Sequence, residues 1–314
     1  MKKDPVAASF RDLEWDCELK FRKYRHIWHL YTDGRNADII FRDQEDMKVG
    51  MNLIGISLLK FPDLKMFTFE LMNNHLHIIL SGERCRCEEF FSTFKARLWK
   101  FFSRNGRIVN MHDFNCGLAE ITTLQSLRNE IVYVNRNGYV VHTECTPFSY
   151  PWGAGACFFN PFMRELQSVS YRNLTVREKR GICHSNDVCL PDDNIKVYKG
   201  VILPSSYCAV TEAESFFRNA HQYFHYLSKR YEAYGEIAGR LHETVFIADE
   251  EMYAAVCMLC QQIHGVKHPG LLNAKDRIEM ARRMHQDYNA SNRQIRSILK
   301  LDKQLVEQLF PTTA

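Results

Sequence analysis

Apolar positions follow two different spacings along the first 140 residues, and the spacing changes from segment to segment. A period of two marks a strand and a period near 3.6 marks a helix. Residues 26–31, HIWHLY, read as a first strand. Residues 43–60 repeat Met47, Met51, Ile54 and Leu58 at helical spacing, and Pro62 stops them. Residues 65–71 and 75–80 read as two strands joined by a tight turn at Asn73 and Asn74. Residues 88–103 place Phe90, Phe91, Phe94, Leu98 and Phe101 on one helical stripe. Residues 117–121 form a short strand. Residues 123–137 form a helix, capped by Thr122 or Thr123 and ended by Gly138.

The order β-α-β-β-α-β-α predicts an α+β fold with an antiparallel sheet in a ferredoxin-like split β-α-β layout, trailed by a helix. The pattern changes at TPFSYPWGAGACFFNPF, residues 146–162, which carries three prolines and two glycines and reads as a hinge or domain edge. Helices are expected over 214–234 and 249–264. The last forty residues predict three more: 274–286, then one capped by Ser291 running to Leu299, then one capped by Asp302 running to Phe310. Ile278, Met280, Ala281, Met284, Ile295, Ile298, Leu299, Leu301, Leu305, Val306 and Leu309 would face inward. Two short helices joined by a tight turn are a helix-turn-helix pattern, with Lys303, Gln304, Glu307 and Gln308 offered to a major groove. A small scaffolding bundle would give the same spacing. The expected division is 1–155, a mainly helical accessory region 156–270, and a helix-turn-helix-like unit 271–314.

Composition narrows the class. The chain has 314 residues, 46% hydrophobic and 25% charged, enough to bury a large core. No run of eighteen apolar residues occurs, so no transmembrane helix and no membrane partner is expected. The opening MKKDPVAASFRDLEWD lacks the apolar centre of a secretory signal, which points to the cytoplasm. Eleven cysteines in such a chain read as free thiols. Cys85 with Cys87, Cys183 with Cys189, and Cys257 with Cys260 are the pairs a structural zinc would need, in poor contexts for it. A net charge of +4 permits nucleic-acid binding without demanding it. Residues 95–107, KARLWKFFSRNGR, mix cations with aromatic rings. Lys95, Arg97, Lys100 and Arg104 are therefore candidate contacts to single-stranded DNA, although an amphipathic helix with a wet basic face reads the same way.

The candidate chemistry lies in two places. His75 and His77 sit two apart on a strand, so both imidazoles share one face and can hold one divalent metal. Tyr133 and Asn137 sit four apart on a helix and also share a face. A metal that polarises a phosphate oxygen, beside a tyrosine that attacks phosphorus, would make a phosphotyrosine. His221 with His225, and His26 with His29, are further pairs; packing explains the first, and the second could line a DNA path.

These residues resemble a known family. His75-Leu76-His77 is similar to the His-hydrophobe-His signature of HUH single-tyrosine DNA transposases, and residues 69–75 resemble its YVLMPNH stretch with Asn73 in place of proline. Residues 133–138 resemble its YIHLNP segment with Gly138 in place of proline, and residues 149–152 resemble its DYPWSS stretch. The nearest branch is the IS200-like, REP-associated tyrosine transposases, over about residues 20–155. The resemblance implies cutting and rejoining of single-stranded or hairpin DNA with Mg²⁺ or Mn²⁺, and a bacterial, nucleoid-associated protein able to act as a homodimer. It implies Tyr133 as nucleophile, His75 and His77 as metal ligands, and Asn137 as a third ligand or positioning residue. The alternative is a catalytically idle DNA-binding regulator that uses the C-terminal helices.

Overall fold

The computed structural model describes residues 10–34, 39–141, 145–146, 148–164, 166–190, 194–229, 237, 241, 249–288 and 290–311. The opening at 1–9, part of the first loop and the end of the expected 214–234 helix lie outside these residues. The order begins with a helix that the apolar pattern did not announce, α1 (Phe10–Phe21), followed by β1 (Ile27–Thr32), α2 (Gln44–Leu58), β2 (Lys65–Leu71), β3 (Leu76–Ser81), α3 (Arg84–Arg104), β4 (Cys116–Glu120) and α4 (Leu124–Val141). The four strands form one sheet in the order β2-β3-β1-β4, every neighbouring pair antiparallel. This is the expected split β-α-β arrangement: β3 lies between β1 and β2, and the β2–β3 hairpin turns at Asn73 and Asn74.

Local chemistry sets the element ends. The Asp43 side chain accepts from the backbone N–H groups of Glu45 and Asp46 and starts α2. Thr123 Oγ1 accepts from Ser126 N at 3.0 Å, so Thr123 rather than Thr122 caps α4. In α3 the buried stripe is Cys87, Phe90, Phe91, Phe94, Leu98 and Phe102. Cys87 packs as a small apolar residue, which extends the helix a turn earlier than expected. Phe102 replaces Phe101 on the stripe, and Phe101 instead packs its ring 4.7 Å from that of His184.

Three expectations are corrected. Residues 146–162 are not a hinge. They strap the outer edge of β2: Leu71 N donates to Trp152 O at 2.8 Å, Ala154 N to Phe69 O at 3.0 Å, and Tyr150 Oη to Leu71 O at 2.7 Å. Further along, Ala209 N donates to Met66 O at 2.7 Å. An edge strand carries unpaired backbone groups, and this strap pairs them. Second, the expected 214–234 helix is two pieces, Val210–Glu214 and Ala220–Lys229. Asn219 Oδ1 accepts from Gln222 N at 2.9 Å and restarts the second. Third, α4 does not end at Gly138 but runs to Val141.

A second sheet, of Val169–Ser170, Lys196–Tyr198 and Val201–Ile202, packs on the outside of α2. Ile56, Tyr171, Ile182, Cys183, Ile195, Val197 and Ile202 form its buried cluster. Asn52 on α2 pins it, donating to Gly200 O at 2.9 Å and accepting from Ile202 N at 2.8 Å. The chain groups into two compact units, 1–227 and 228–314. None of the eleven cysteines is joined in a disulfide. Among the described residues no helix is long and apolar enough to cross a membrane.

The second unit contains helices Asp249–His264, Ala274–Tyr288, Asn292–Leu299 and Lys303–Leu309. Ser291 and Gln294 form a capping box, and Asp302 accepts from Gln304 N and Leu305 N. Lys300 adopts a left-handed backbone, φ 53°, that turns the chain sharply between the last two helices. Met280, Ala281, Met284, Ile295, Ile298, Leu299 and Val306 are buried as expected; Ile278, Leu301, Leu305 and Leu309 are half-buried. Lys303, Gln304, Glu307 and Gln308 are exposed.

Candidate functional site

The two faces of the main sheet differ in chemistry. Trp28, Leu30, Phe69, Leu71, Leu76 and Ile78 point to one side, where α2 and α3 cover them. His29, Tyr31, Thr68, Glu70 and His77 point to the other, against α4. Alternation along each strand produces this division.

Two positions of α4 face the polar side at helical spacing, Glu130 and Tyr133. The Tyr133 ring lies edge-on to His77, with centroids 5.6 Å apart, and 6.0 Å from His29. The rings of His75 and His77 are 5.2 Å apart and perpendicular. The phenol and the paired imidazoles, more than fifty residues apart in sequence, therefore meet. Asn137 follows one turn beyond Tyr133 and is half-buried. His75 Nδ1 meets Asn74 Oδ1 at 2.7 Å, and Asn74 Nδ2 donates to Gly34 O at 2.7 Å. Gly34 crosses so close that a Cβ there would stand 2.8 Å from His75 Nδ1. Only glycine lets the loop after β1 pass over this imidazole.

Sequence reasoning set His29 aside and missed Glu130. Both are fully buried in the cluster, His29 Nδ1 lying 2.7 Å from Glu130 Oε2 and His29 Nε2 lying 2.9 Å from His77 Nδ1. A signal existed: Glu130 precedes Tyr133 by three residues on the same helix face, and His29 alternates with Leu30 on a strand beside β3.

The Glu70 carboxyl accepts from Gly138 N at 3.0 Å. Burial pushes this carboxyl well above the ordinary carboxylate range. Thr68 Oγ1 donates to Asn135 Oδ1, and Asn135 Nδ2 donates to Tyr223 Oη at 3.0 Å. Through these bonds α4 is locked in rotation over the sheet.

The basic residues of α3 are not brought to this cluster. Lys95, Arg97, Lys100 and Arg104 lie on a helix that covers the opposite face of the sheet. Lys95 donates to Asn115 Oδ1 at 2.8 Å and Arg104 to His184 O at 3.0 Å. Lys303 and Gln304 belong to the second unit.

Burial pushes His75 down to about 4 and His77 well below the usual imidazole range; for His77 the neighbouring His29 and His75 add to the effect, while Asp33 opposes it at His75. Both imidazoles are thus uncharged at neutral pH, the form that ligates a metal. They fit a divalent cation in donor type and in sharing a face. Among the described residues no group of three or more His, Cys, Asp or Glu is arranged to hold one.

This burial has a consequence for stability. The unfolded chain protonates histidine near pH 6.5, whereas the native cluster resists protonation down to about 4 at His75. The unfolded state binds more protons across that window, so stability falls as pH drops from about 6.5 to about 4, by about 3 kcal/mol for His75. Glu70, whose carboxyl burial raises, acts in the opposite direction. The melting temperature of wild type should therefore drop more between pH 7 and pH 5 than that of a His75→Asn, His77→Asn variant. Parallel curves would contradict the assignment.

No family model matches the chain, and no curated protein matches it. A solved structure of a REP-associated tyrosine transposase bound to a REP hairpin is similar at 13% identity and a TM-score of 0.32, over 56% of this chain and 94% of that one.

Proposed function

We propose that the chain is a transposase-type enzyme that nicks and rejoins single-stranded DNA at hairpin or repeat sequences through a 5′-phosphotyrosine. The observation that carries this reading is the packing of the Tyr133 ring against His77, with His75 alongside. The Tyr133 oxygen attacks phosphorus and loses its proton. The bond from phosphorus to the 3′ oxygen breaks, and that oxygen leaves as a hydroxyl after taking a proton. Reversal by an incoming 3′ hydroxyl reseals a strand, because the phosphodiester energy is kept in the phosphotyrosine. His75 and His77, with Asn137, would hold Mg²⁺ or Mn²⁺, which when bound supplies polarisation of a phosphate oxygen. Burial keeps both imidazoles neutral for that task. His75 and Asn137 are the half-buried residues of this proposed set, and a DNA strand would reach it there.

The test is a labelled hairpin oligonucleotide incubated with protein and Mn²⁺. A covalent adduct that survives denaturation is expected, and its absence across hairpin substrates would overturn the reading.

A second reading, a DNA-binding regulator, is favoured by the exposed helix Lys303–Leu309 behind its tight turn. Lys303→Ala with Gln304→Ala should weaken duplex binding about tenfold and lower the salt slope by about one. Unchanged binding would remove that helix from the DNA interface.

A further inference from the structure

His29 and Glu130 belong to neither motif that carries the proposed chemistry, yet they form the driest part of the cluster. His29, His77 and Glu130 are each at most 1% exposed. They come from three separate elements, β1, β3 and α4, and they form a chain of two hydrogen bonds. Glu130 Oε2 and His29 Nδ1 are 2.7 Å apart; His29 Nε2 and His77 Nδ1 are 2.9 Å apart.

The hydrogen positions follow from an ionised Glu130 beside a neutral His29. A carboxylate only accepts, so His29 donates through Nδ1. A neutral imidazole with its proton on Nδ1 accepts at Nε2. The hydrogen between the two rings therefore sits on His77 Nδ1. That leaves the His77 lone pair on Nε2. It also engages both nitrogens of His29, so His29 is not itself a ligand.

Resting on the metal-dependent reading above, we propose that Glu130 and His29 are positioning residues that hold His77 in its Nδ1–H tautomer and fix its ring angle, so that Nε2 is presented to the divalent cation. Metal-bound histidines are commonly oriented in this way by a carboxylate on the other nitrogen. Here the carboxylate acts through an intervening imidazole. A neutral His77 without this chain could carry its proton on either nitrogen, and the Nε2–H form cannot ligate through that atom.

Two measurements test the proposal on the full chain. Long-range ¹H–¹⁵N spectra of the metal-free wild type should show His77 protonated on Nδ1 and bare on Nε2. Glu130→Gln keeps the size but lets an amide N–H face His29. Titration calorimetry with Mn²⁺ should then show affinity reduced by roughly 10–100-fold, at a temperature where the variant is still folded. A purely structural role would lower the melting temperature and leave both the tautomer and the affinity alone. A wild-type His77 protonated on Nε2 overturns the proposal, as does a folded Glu130→Gln protein that binds Mn²⁺ within twofold of wild type. If the wild type binds no Mn²⁺, the nuclease reading fails. The tautomer spectrum then still decides the hydrogen-bond chain by itself, and it needs no variant that could fail to fold.

Discussion

A Tyr133→Phe protein should fold, bind a hairpin substrate and form no covalent DNA adduct. The ring of Tyr133 is 2% exposed and packs between His77 and His29, and phenylalanine keeps every ring contact. What is lost is one oxygen. Its hydrogen bonding is worth about 1 kcal/mol, so the melting temperature should move by only about 2–4 °C. The effect on chemistry is of another order. Removing the nucleophile in an enzyme that works by covalent intermediates costs a factor of about 10⁶, and an adduct assay should register at least a 10³-fold loss. His77→Ala also removes the adduct, but for a different reason. It takes away one of the two imidazoles and leaves His29 and Glu130 buried without their third member, so it should lower the melting temperature as well. That contrast separates the nucleophile from the residues that hold the site. A Tyr133→Phe protein that still forms the adduct at the wild-type level would transfer the nucleophile to another residue, and the proposed reaction would lose its central atom.

The sheet and most helix cores were legible because period-two and period-3.6 patterns are local. Residues 65–71 were placed to the residue, and β3 and β4 to within one. The helix α1 was not legible, because its burial rests on scattered contacts such as Cys17 rather than on a stripe. The strap at 146–162 misled for a physical reason. Proline and glycine mark a hinge and an extended sheet edge alike, and only the unpaired backbone of β2 decides between them. In the site, the pair His75 and His77 and the pair Tyr133 and Asn137 could be read from spacing within single elements. The pairing of His29 with Glu130 was not legible, because it is a contact between β1 and α4 that spans 101 residues. The basic residues of α3 illustrate the converse. Their cations and rings suit a nucleic-acid groove by composition, but the helix covers the face of the sheet turned away from Tyr133.

Gly138→Pro should leave little folded protein, and Gly138→Ala should fold with a clear loss of stability. The resembled motif carries proline at this position, and the structure gives a reason why this chain cannot. Gly138 N donates to the buried carboxyl of Glu70 at 3.0 Å. Proline has no such hydrogen and would stand inside α4, a change that costs about 3 kcal/mol on helix grounds alone. The abandoned Glu70 adds about 1–3 kcal/mol as a buried group without its donor. Against a total stability of about 5–15 kcal/mol, the sum is close to unfolding. Alanine keeps the N–H, so only space is at issue. A Cβ at Gly138 would lie 2.2 Å from Tyr150 Cδ1 and Cε1. Tyr150 cannot swing aside cheaply, since its ring is 3% exposed and its hydroxyl donates to Leu71 O at 2.7 Å. Alanine is the better helix former by about 1 kcal/mol, but a hard overlap in a full core costs about 1–3 kcal/mol, and at 2.2 Å the upper end applies. The net loss of about 2 kcal/mol should lower the melting temperature by about 4–8 °C. The cause can be isolated by a double-mutant cycle with Tyr150→Leu, which clears the space. Paired with it, Gly138→Ala should cost little or turn stabilising, so the two changes should be strongly non-additive. An alanine variant that melts with wild type, or a cycle in which the two effects simply add, would show that the ring of Tyr150 does not press on Gly138.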